Sequence, residues 1–288
     1  MRSKRNWKWV IIMAAVLLVF AIPTFFWVKN NNRFLAQRRK SQMSPIIMVP
    51  GSSATTERFN GLVDAMNRDS FAKHSLLKVK VATDGSVTYS GSIQRGDLEP
   101  IIVIGFANNR DGYANIKKQA GWLNIAFYNL SQQYKFNNFK AFGHSNGGLI
   151  WTYWLEHFAS RYTNSIQMKR LMTLGTPYNF SEKSLSHKTQ MLSDFIKNKK
   201  RIPKNLVVFS VSGGQDYESD GRVPEASVDA AKYIYQNQAK SYTTMTVTGS
   251  DAQHSSLPQN TQVVALIEQY LSDNNRRHPG DQNNNGSR

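Results

Sequence analysis

The 288-residue sequence contains no cysteine, and this absence excludes several kinds of chemistry. A thiol nucleophile, a disulfide framework and a thiolate metal site all require cysteine side chains. A chain of this length can bury a sizeable hydrophobic core without help from disulfide bonds. The composition therefore fits one globular domain with short appendages better than two full domains.

Acidic side chains are also scarce, because 19 Asp and Glu stand against 36 Lys and Arg, giving a formal net charge of +17. Nine of the basic residues and none of the acidic ones fall in the first 40 positions. The rest of the chain carries 27 basic and 19 acidic side chains, a net charge of +8. Such a surface favours anionic polymers or lipids. We expect no nucleic-acid partner, because the interleaved basic and aromatic pattern of nucleic-acid modules is missing.

An uncharged and almost entirely apolar stretch covers residues 9–28. As a helix rising about 1.5 Å per residue it would span the hydrocarbon core of a membrane. Trp7, Trp9 and Trp27 lie near its ends, where aromatic side chains settle at membrane interfaces. A cleavable signal peptide is the alternative, but the bulky residues that close the stretch form a poor cleavage site. We predict a single-pass signal anchor over residues 1–28, with the globular domain outside the cell, or secreted if the segment is cleaved.

The remaining sequence divides into three segments by composition. Residues 29–44 are polar and basic and are interpreted as a tether, 45–272 form the folded domain, and the polar tail 273–288 is expected to be disordered. In the folded domain, apolar runs alternate with segments of helical periodicity, which predicts an α/β fold with a mainly parallel central sheet flanked by helices. The predicted strands are 46–49, 76–81, 87–89, 100–106, 139–142, 170–174, 206–211 and 242–247, and the main helices are 59–66, 113–134, 149–158 and 263–271.

The motif Gly143-His144-Ser145-Asn146-Gly147 matches G-x-S-x-G, in which a serine sits on a tight turn between a strand and a helix. Small neighbours allow the turn, and the turn exposes the serine hydroxyl above the sheet. A predicted strand precedes the motif and a predicted helix follows it. This context favours Ser145 as the nucleophile of an α/β-hydrolase fold over a glycine-rich turn without a catalytic role.

A serine hydroxyl needs a neighbouring base, which in this fold follows the serine along the chain and comes after the acid. His254 lies in the loop between the last predicted strand and the last predicted helix, where the fold delivers its base. His187 is the competitor, but it lies in a polar insertion. We predict His254.

The acid is expected in the loop that follows the strand 206–211. Asp216, Glu218 and Asp220 compete there. We favour Asp220, because it begins an Asp-Gly-x-Val-Pro stretch in which glycine permits a sharp turn and Val-Pro anchors the loop.

Acyl transfer also requires N–H donors aimed at the developing oxyanion. The backbone N–H of Asn146, directly after Ser145, is one expected donor. The second is expected from the loop after the first strand of the domain, and we assign it to Ser52. No metal or cofactor is expected, since this chemistry requires none.

The chain resembles a family of exported or cell-surface α/β-hydrolases of Gram-positive bacteria. The resemblance covers nearly the whole domain, and it implies Ser145, Asp220 and His254 as a triad by their positions in the shared motifs. Two departures are Pro50-Gly51, where many relatives have His-Gly, and Asn146, where methionine is common. The motifs that carry the resemblance are IIMVPGSSAT (46–55), DGSVTYSG (84–91), PIIVIGFANN (100–109), QAGWLNIAFYNLSQQYKFNNFKAFGHSNGGL (119–149), TLGTPYNF (173–180), SDGRVP (219–224) and QHSSLPQN (253–260).

These features predict a serine esterase that acts on a small-molecule or lipid-like ester through an acyl-enzyme and is attached to the membrane by its N-terminal helix. The insertion around residues 180–200 is interpreted either as a small cap that offers apolar surface to an acyl chain or as an amphipathic surface helix. Two alternatives for the function remain: a silent hydrolase scaffold that only binds a ligand, and a peptidase or amidase that uses the same triad.

Overall fold

The computed structural model describes residues 3–68, 73–215 and 218–273. The chain divides into two compact units, the first ending at Ser41 and the second beginning at Gln42. The first unit contains one long helix, α1 (Ser3–Arg39). The helix continues through most of the segment predicted as a tether, because residues 29–39 contain neither glycine nor proline to interrupt it.

Helix α1 carries apolar side chains on all of its faces. Large side chains such as Leu17 and Phe20 are 66% and 69% exposed. By length and composition, the stretch Trp7–Arg39 is able to cross a membrane. A signal sequence near an N-terminus has the same properties, so the helix fits either an anchor or a signal.

The second unit is built on one eight-stranded sheet with the strand order β3-β2-β4-β1-β5-β6-β7-β8. All neighbouring strands are parallel except the β2–β3 hairpin, which is antiparallel as the sequence predicts. The strands are β1 (Ile46–Val49), β2 (Leu76–Val81), β3 (Val87–Gly91), β4 (Ile101–Phe106), β5 (Asn138–His144), β6 (Gln167–Leu174), β7 (Val207–Gly214) and β8 (Ser241–Thr248).

Helices cover both faces of the sheet. The neighbouring inner strands β1 and β4 are buried along their whole length, which explains why their sequences are unbroken apolar runs rather than alternating patterns. The helices are α2 (Asn60–Arg68), α3 (Tyr113–Tyr134), α4 (Asn146–His157), α5 (Gln190–Asn198), α6 (Glu225–Asp229), α7 (Lys232–Tyr235) and α8 (Thr261–Leu266), and α8 continues into a π-helical turn (Ile267–Leu271).

Most of the apolar surface of the insertion around 180–200 faces the core, and only Phe180, at its start, lines a cavity beside Ser145. Helix α5 of the insertion buries Met191, Leu192 and Phe195 in the main hydrophobic core. These three apolar side chains therefore stabilise the domain, as in the alternative of an amphipathic surface helix.

Charged side chains fix the end of the described chain at the edge of the sheet where the parallel strands begin. Lys140 is fully buried and pairs with the buried carboxylate of Glu99. The Asp273 carboxylate forms ion pairs with Lys140 Nζ at 2.8 Å and with Arg170 Nη1 at 2.7 Å. Asp273, placed at the start of the tail by the sequence, is thus bonded to the domain, and residues 274–288 lie outside the described chain.

Candidate active site

Ser145 lies in the turn between β5 and α4 with φ 54° and ψ −128°. A non-glycine residue with positive φ is strained, and the surroundings must hold it there. The Ser145 N–H donates to the carbonyl oxygen of Leu174 at 2.8 Å. Glycine is required at 147, because a Cβ there would lie 2.0 Å from the carbonyl oxygen of Val49. The turn is therefore held by close backbone packing against neighbouring strands.

A continuous chain of hydrogen bonds links Ser145, His254 and Asp220. His254 Nε2 lies 3.0 Å from Ser145 Oγ, and His254 Nδ1 lies 2.7 Å from Asp220 Oδ2. With its proton on Nδ1, the imidazole donates to the carboxylate and accepts from the serine hydroxyl. The three side chains follow β5, β7 and β8, so the ends of three parallel strands bring them together at one edge of the sheet.

The loop after β7 orients the Asp220 carboxylate. Its second oxygen, Oδ1, accepts the backbone N–H of Arg222 at 3.0 Å and that of Val223 at 2.7 Å. The His254 backbone N–H also donates to the Asp220 carbonyl oxygen at 2.8 Å. The loops that contain Asp220 and His254 are thus joined by both side-chain and backbone hydrogen bonds, and Asp220 is only 2% exposed.

The competing residues lie elsewhere. The side chain of His187 is 71% exposed and contacts Glu182 at 3.0 Å, so it is occupied away from Ser145. Glu218 is exposed and borders a separate surface cavity beside Lys183 and Glu225. Asp216, the remaining alternative for the acid, lies outside the described residues.

The loop after β1 runs directly against Ser145. A Cβ placed on Gly51 would lie 2.7 Å from the Cβ of Ser145 and 3.2 Å from its Oγ, so only glycine fits there. Within the described chain, no hydrogen bond from the Ser52 N–H is present, whereas the next residue, Ser53, donates to Asn109. The Asn146 N–H lies in the first turn of α4, where backbone donors lack helical partners. Both predicted oxyanion donors are therefore free in positions that flank Ser145.

Asp111 is a site residue that our sequence analysis did not identify. Its Oδ1 accepts the side-chain amide of Asn146 at 2.7 Å and the backbone N–H of Gly112 at 2.8 Å. The contact ties the loop after β4 to the first residue of α4. Its position just beyond a buried strand, at the same edge as Ser145, is the signal that could have identified it.

His144 is a second site residue not identified from the sequence. Its Nε2–H donates to the carbonyl oxygen of His254 at 3.1 Å, and the two rings lie 4.9 Å apart. Burial, followed by the nearby His254 and the charge of Arg58, lowers the pKa of His144 well below the usual value of 6.5. His144 is therefore neutral near pH 7 and supports the His254 loop without adding a charge beside it.

Gly175, in the loop after β6, is a third site residue not identified from the sequence. Its φ is +55°, and a Cβ on this residue would lie 3.0 Å from Asp220 Oδ2 and 3.2 Å from His254 Nδ1. The glycine thus leaves room for the hydrogen bond between Asp220 and His254. In the sequence, Gly175 lies within the Thr-Leu-Gly-Thr-Pro motif, one of those that carry the family resemblance.

Two cavities, of about 520 and 410 Å³, open on either side of Ser145 and share Ser52, Arg222 and His254 in their walls. We call the larger one the polar cavity and the smaller one the mixed cavity. Among the described residues, no group of three or more His, Cys, Asp or Glu side chains could hold a metal ion. The expectation that the site works without metal or cofactor remains a prediction.

Comparison with known proteins extends these observations. The family described as "Alpha/beta hydrolase of unknown function (DUF915)" matches residues 35–274. A structure from Lactobacillus plantarum WCFS1 is described as a candidate cell surface hydrolase. Its sequence is 51% identical to this chain, and its TM-score is 0.74. The alignment covers 80% of this chain and 92% of that chain. A gene product of Listeria innocua is 27% identical with a TM-score of 0.73, covering 80% and 94%. No curated protein matches the chain.

The family match spans most of the chain, and the Lactobacillus structure shares about half of the aligned residues. The mainly parallel eight-stranded sheet with helices on both faces confirms the fold predicted from the sequence. The resemblance drawn from the motifs is confirmed as well. This chain belongs to the family of α/β-hydrolases of unknown function.

Proposed function

We propose that the protein is a serine hydrolase that cleaves carboxylic esters through an acyl-enzyme. The observation that carries this proposal is the hydrogen-bond chain from Ser145 Oγ through His254 to Asp220, with distances of 3.0 and 2.7 Å. The distance of 3.0 Å between His254 Nε2 and Ser145 Oγ lies within the range in which a base accepts a serine proton. The free N–H groups beside Ser145 and the cavities on either side of it add support.

In the proposed reaction, His254 Nε2 takes the proton as Ser145 Oγ attacks the ester carbonyl carbon. The negative charge on the carbonyl oxygen is stabilised by the N–H groups of Ser52 and Asn146. The bond to the alcohol oxygen then breaks, and His254 returns the proton to the leaving alkoxide. Water, deprotonated by His254, attacks the acyl-enzyme, releases the carboxylic acid and restores the serine.

Asp220 has two effects in this scheme. It holds His254 in the tautomer that presents an unprotonated Nε2 to the serine, and it stabilises the imidazolium that forms after proton transfer. Because Asp220 Oδ1 is occupied by two backbone N–H groups, the carboxylate cannot rotate away without losing both hydrogen bonds.

The test is labelling of the full chain, solubilised in detergent, with a fluorophosphonate probe that reacts with activated serines. Wild type should be labelled and should hydrolyse short p-nitrophenyl esters, whereas Ser145→Ala and His254→Ala should do neither. His187→Ala is the matched control and should behave as wild type. Hydrolysis that persists in Ser145→Ala would refute the proposal, and an unlabelled but folded wild type would favour a binding scaffold.

We also propose that α1 anchors the protein in the cell membrane with the hydrolase domain at the cell surface. Support comes from the length and apolar composition of the helix and from the basic residues that precede the apolar stretch. The Lactobacillus relative is described as a candidate cell surface hydrolase, which agrees with this location.

A further inference from the structure

Polar and charged residues form most of the lining of the polar cavity. Apart from Gly51 and Ala54, its lining consists of polar and charged residues. Its hydroxyl and amide groups come from Ser52, Ser53, Thr55, Ser255 and Gln259. A site for a long acyl chain would be lined mainly by hydrophobic side chains. This cavity is therefore suited to a hydroxylated group instead.

The mixed cavity on the other side of Ser145 provides some apolar surface. Pro177, Phe180 and Val223 line it, beside Asp111 and Asn146. Three apolar residues suit a short acyl group. The two cavities thus divide the site into a hydroxylated side and a short acyl side.

Two arginines face this cleft. Arg222 is exposed and contributes to both cavities, and Arg58 lines the polar cavity. Arg58 donates one N–H to the carbonyl oxygen of Ser255, which positions the side chain without neutralising its charge. The charge of Arg58 also contributes to the lowered pKa of His144. A positive charge therefore acts close to the catalytic group.

The carboxylates that line the same cavities have other partners. Glu57 pairs with Lys78 at 2.5 Å, and Asp111 accepts hydrogen bonds from Asn146 and Gly112. Within the described parts of the chain, neither Arg58 nor Arg222 forms a salt bridge with a carboxylate. Both guanidinium groups are therefore left to bind an anion from outside the protein.

We propose that the substrate is a short-chain ester of a hydroxylated alcohol that carries an oxyanion, a phosphate or a carboxylate, bound by Arg58 and Arg222. This inference rests on the proposed ester hydrolysis at Ser145. The planar guanidinium group matches phosphate and carboxylate through paired hydrogen bonds. The hydroxyl and amide groups of the polar cavity bind the alcohol, and the mixed cavity holds the short acyl group.

The anion preference is tested with matched ester pairs and the full chain in detergent. The phosphate pair is 1-butyrylglycerol 3-phosphate against 1-butyrylglycerol, and the carboxylate pair is an O-acetylated uronic acid against its methyl ester. We expect kcat/KM to be higher for the anionic member of at least one pair by about tenfold, the effect of one charged hydrogen bond. Whichever pair shows the preference identifies phosphate or carboxylate as the bound group.

The arginine variants test the assignment of the two residues. Arg222→Gln and Arg58→Gln should each lower the anionic-to-neutral ratio by about tenfold. Lys169→Gln removes an exposed charge on β6, away from the cleft, and should leave the ratio unchanged. Equal hydrolysis of both members of both pairs, or an unchanged ratio in both arginine variants, would overturn the inference.

Binding measurements separate this inference from the proposed function. Calorimetry on Ser145→Ala measures affinity for the intact esters without turnover, and it should show tighter binding of the anionic member. A protein that binds the anionic ester but is never labelled by fluorophosphonate would retain the anion site and contradict only the hydrolase proposal. A labelled protein without anion preference would contradict only the inference.

Discussion

At the scale of single residues, the site depends on positions where a side chain would not fit. Gly51 and Gly147 let the first strand loop and the turn at Ser145 approach each other more closely than any Cβ allows. Ser145 itself combines a positive φ with ψ −128°, a sparsely populated backbone conformation that costs roughly 1–3 kcal/mol. The position of the candidate nucleophile thus depends on close packing against glycines as well as on hydrogen bonds.

Gly175 provides the sharpest test of this arrangement. In Gly175→Ala, the new methyl group would lie about 3 Å from both Asp220 Oδ2 and His254 Nδ1, so the acid–base pair must move apart. We expect kcat for ester hydrolysis to fall by about tenfold or more, which corresponds to roughly 1.4 kcal/mol of lost transition-state stabilisation.

The matched control for this substitution is Gly121→Ala. Gly121 lies in α3, where a Cβ would meet nothing within 4 Å, so the added methyl should leave activity unchanged and slightly stabilise the helix. Full activity in Gly175→Ala, measured beside this control, would show that the Asp220–His254 bond tolerates displacement.

Individual site residues differed in how far the sequence could identify them. Ser145 lies in a local motif whose strand-and-helix context is readable, and Asp220 and His254 follow from the order of loops in the fold. Asp111 has only a positional signal, just beyond a buried strand, whereas His144 and Arg58 contact the His254 loop, which is distant from both in sequence. Such contacts depend on three-dimensional packing, which no spacing rule encodes.

At the scale of secondary structure elements, helix α4 contains an unusual buried acid. Glu156 is 3% exposed, and within the described chain neither of its carboxyl oxygens has a hydrogen-bond partner. Burial raises the pKa of Glu156 to about 9, Arg201 opposes this effect and Asp194 adds to it. The carboxyl group is therefore protonated in the folded protein at pH 7.

This raised pKa predicts a specific pH dependence of stability. Above about pH 4.5 the unfolded chain releases the Glu156 proton while the folded chain keeps it, so stability falls as the pH rises toward 9. Glu156→Gln cannot ionise and should therefore raise Tm at pH 8. The expected rise is about 2–4 °C for each kcal/mol gained in the free energy of unfolding. The gain should shrink toward pH 5.

Thermal unfolding of wild type and variant between pH 5 and 8 checks this prediction. Glu268→Gln changes a partly exposed acid on the last helical turn and is the matched control, for which no pH-dependent gain is expected. A Tm of Glu156→Gln that stays below that of wild type at pH 8 would show that ionised Glu156 stabilises the fold.

The elements themselves were largely predictable, because buried parallel strands have continuous apolar sequences and the major helices have clear periodicity. All eight predicted strands and the hairpin are present, with ends that differ by up to three residues. The apolar face of α5 was the ambiguous case. An amphipathic helix that covers a substrate and one that packs on the core have the same periodicity, so only the tertiary structure decides between them.

At the scale of the whole molecule, the proposed membrane anchor determines where the proposed hydrolase would act. We expect the full chain to remain in the membrane fraction after alkaline washing and to keep its N-terminal residues. Leu17→Lys together with Leu18→Lys places two charges at the middle of the apolar stretch, each costing about 2.5–3.5 kcal/mol. This variant should lose membrane retention.

Membrane fractionation and N-terminal sequencing check this prediction, and protease treatment of intact cells reports on orientation. Lys73→Gln, which removes a lysine outside α1, serves as a control that should remain in the membrane. Mature protein in the medium that lacks residues 1–28 would show instead that the apolar segment is a cleaved signal.

The ion pairs of Asp273 with Lys140 and Arg170 hold the last described residue at one edge of the sheet. The first strand also begins at this edge, where the Ser44 hydroxyl bonds to Asn138 at 2.5 Å. Ser145 lies at the other end of β5, roughly 20 Å away for a strand of seven residues. A reporter or an immobilisation tag fused after Asp273 would therefore begin on the side of the domain away from the cleft. If the protein were attached to a sensor surface through this tag, the cleft would stay open even to bulky polymeric ligands.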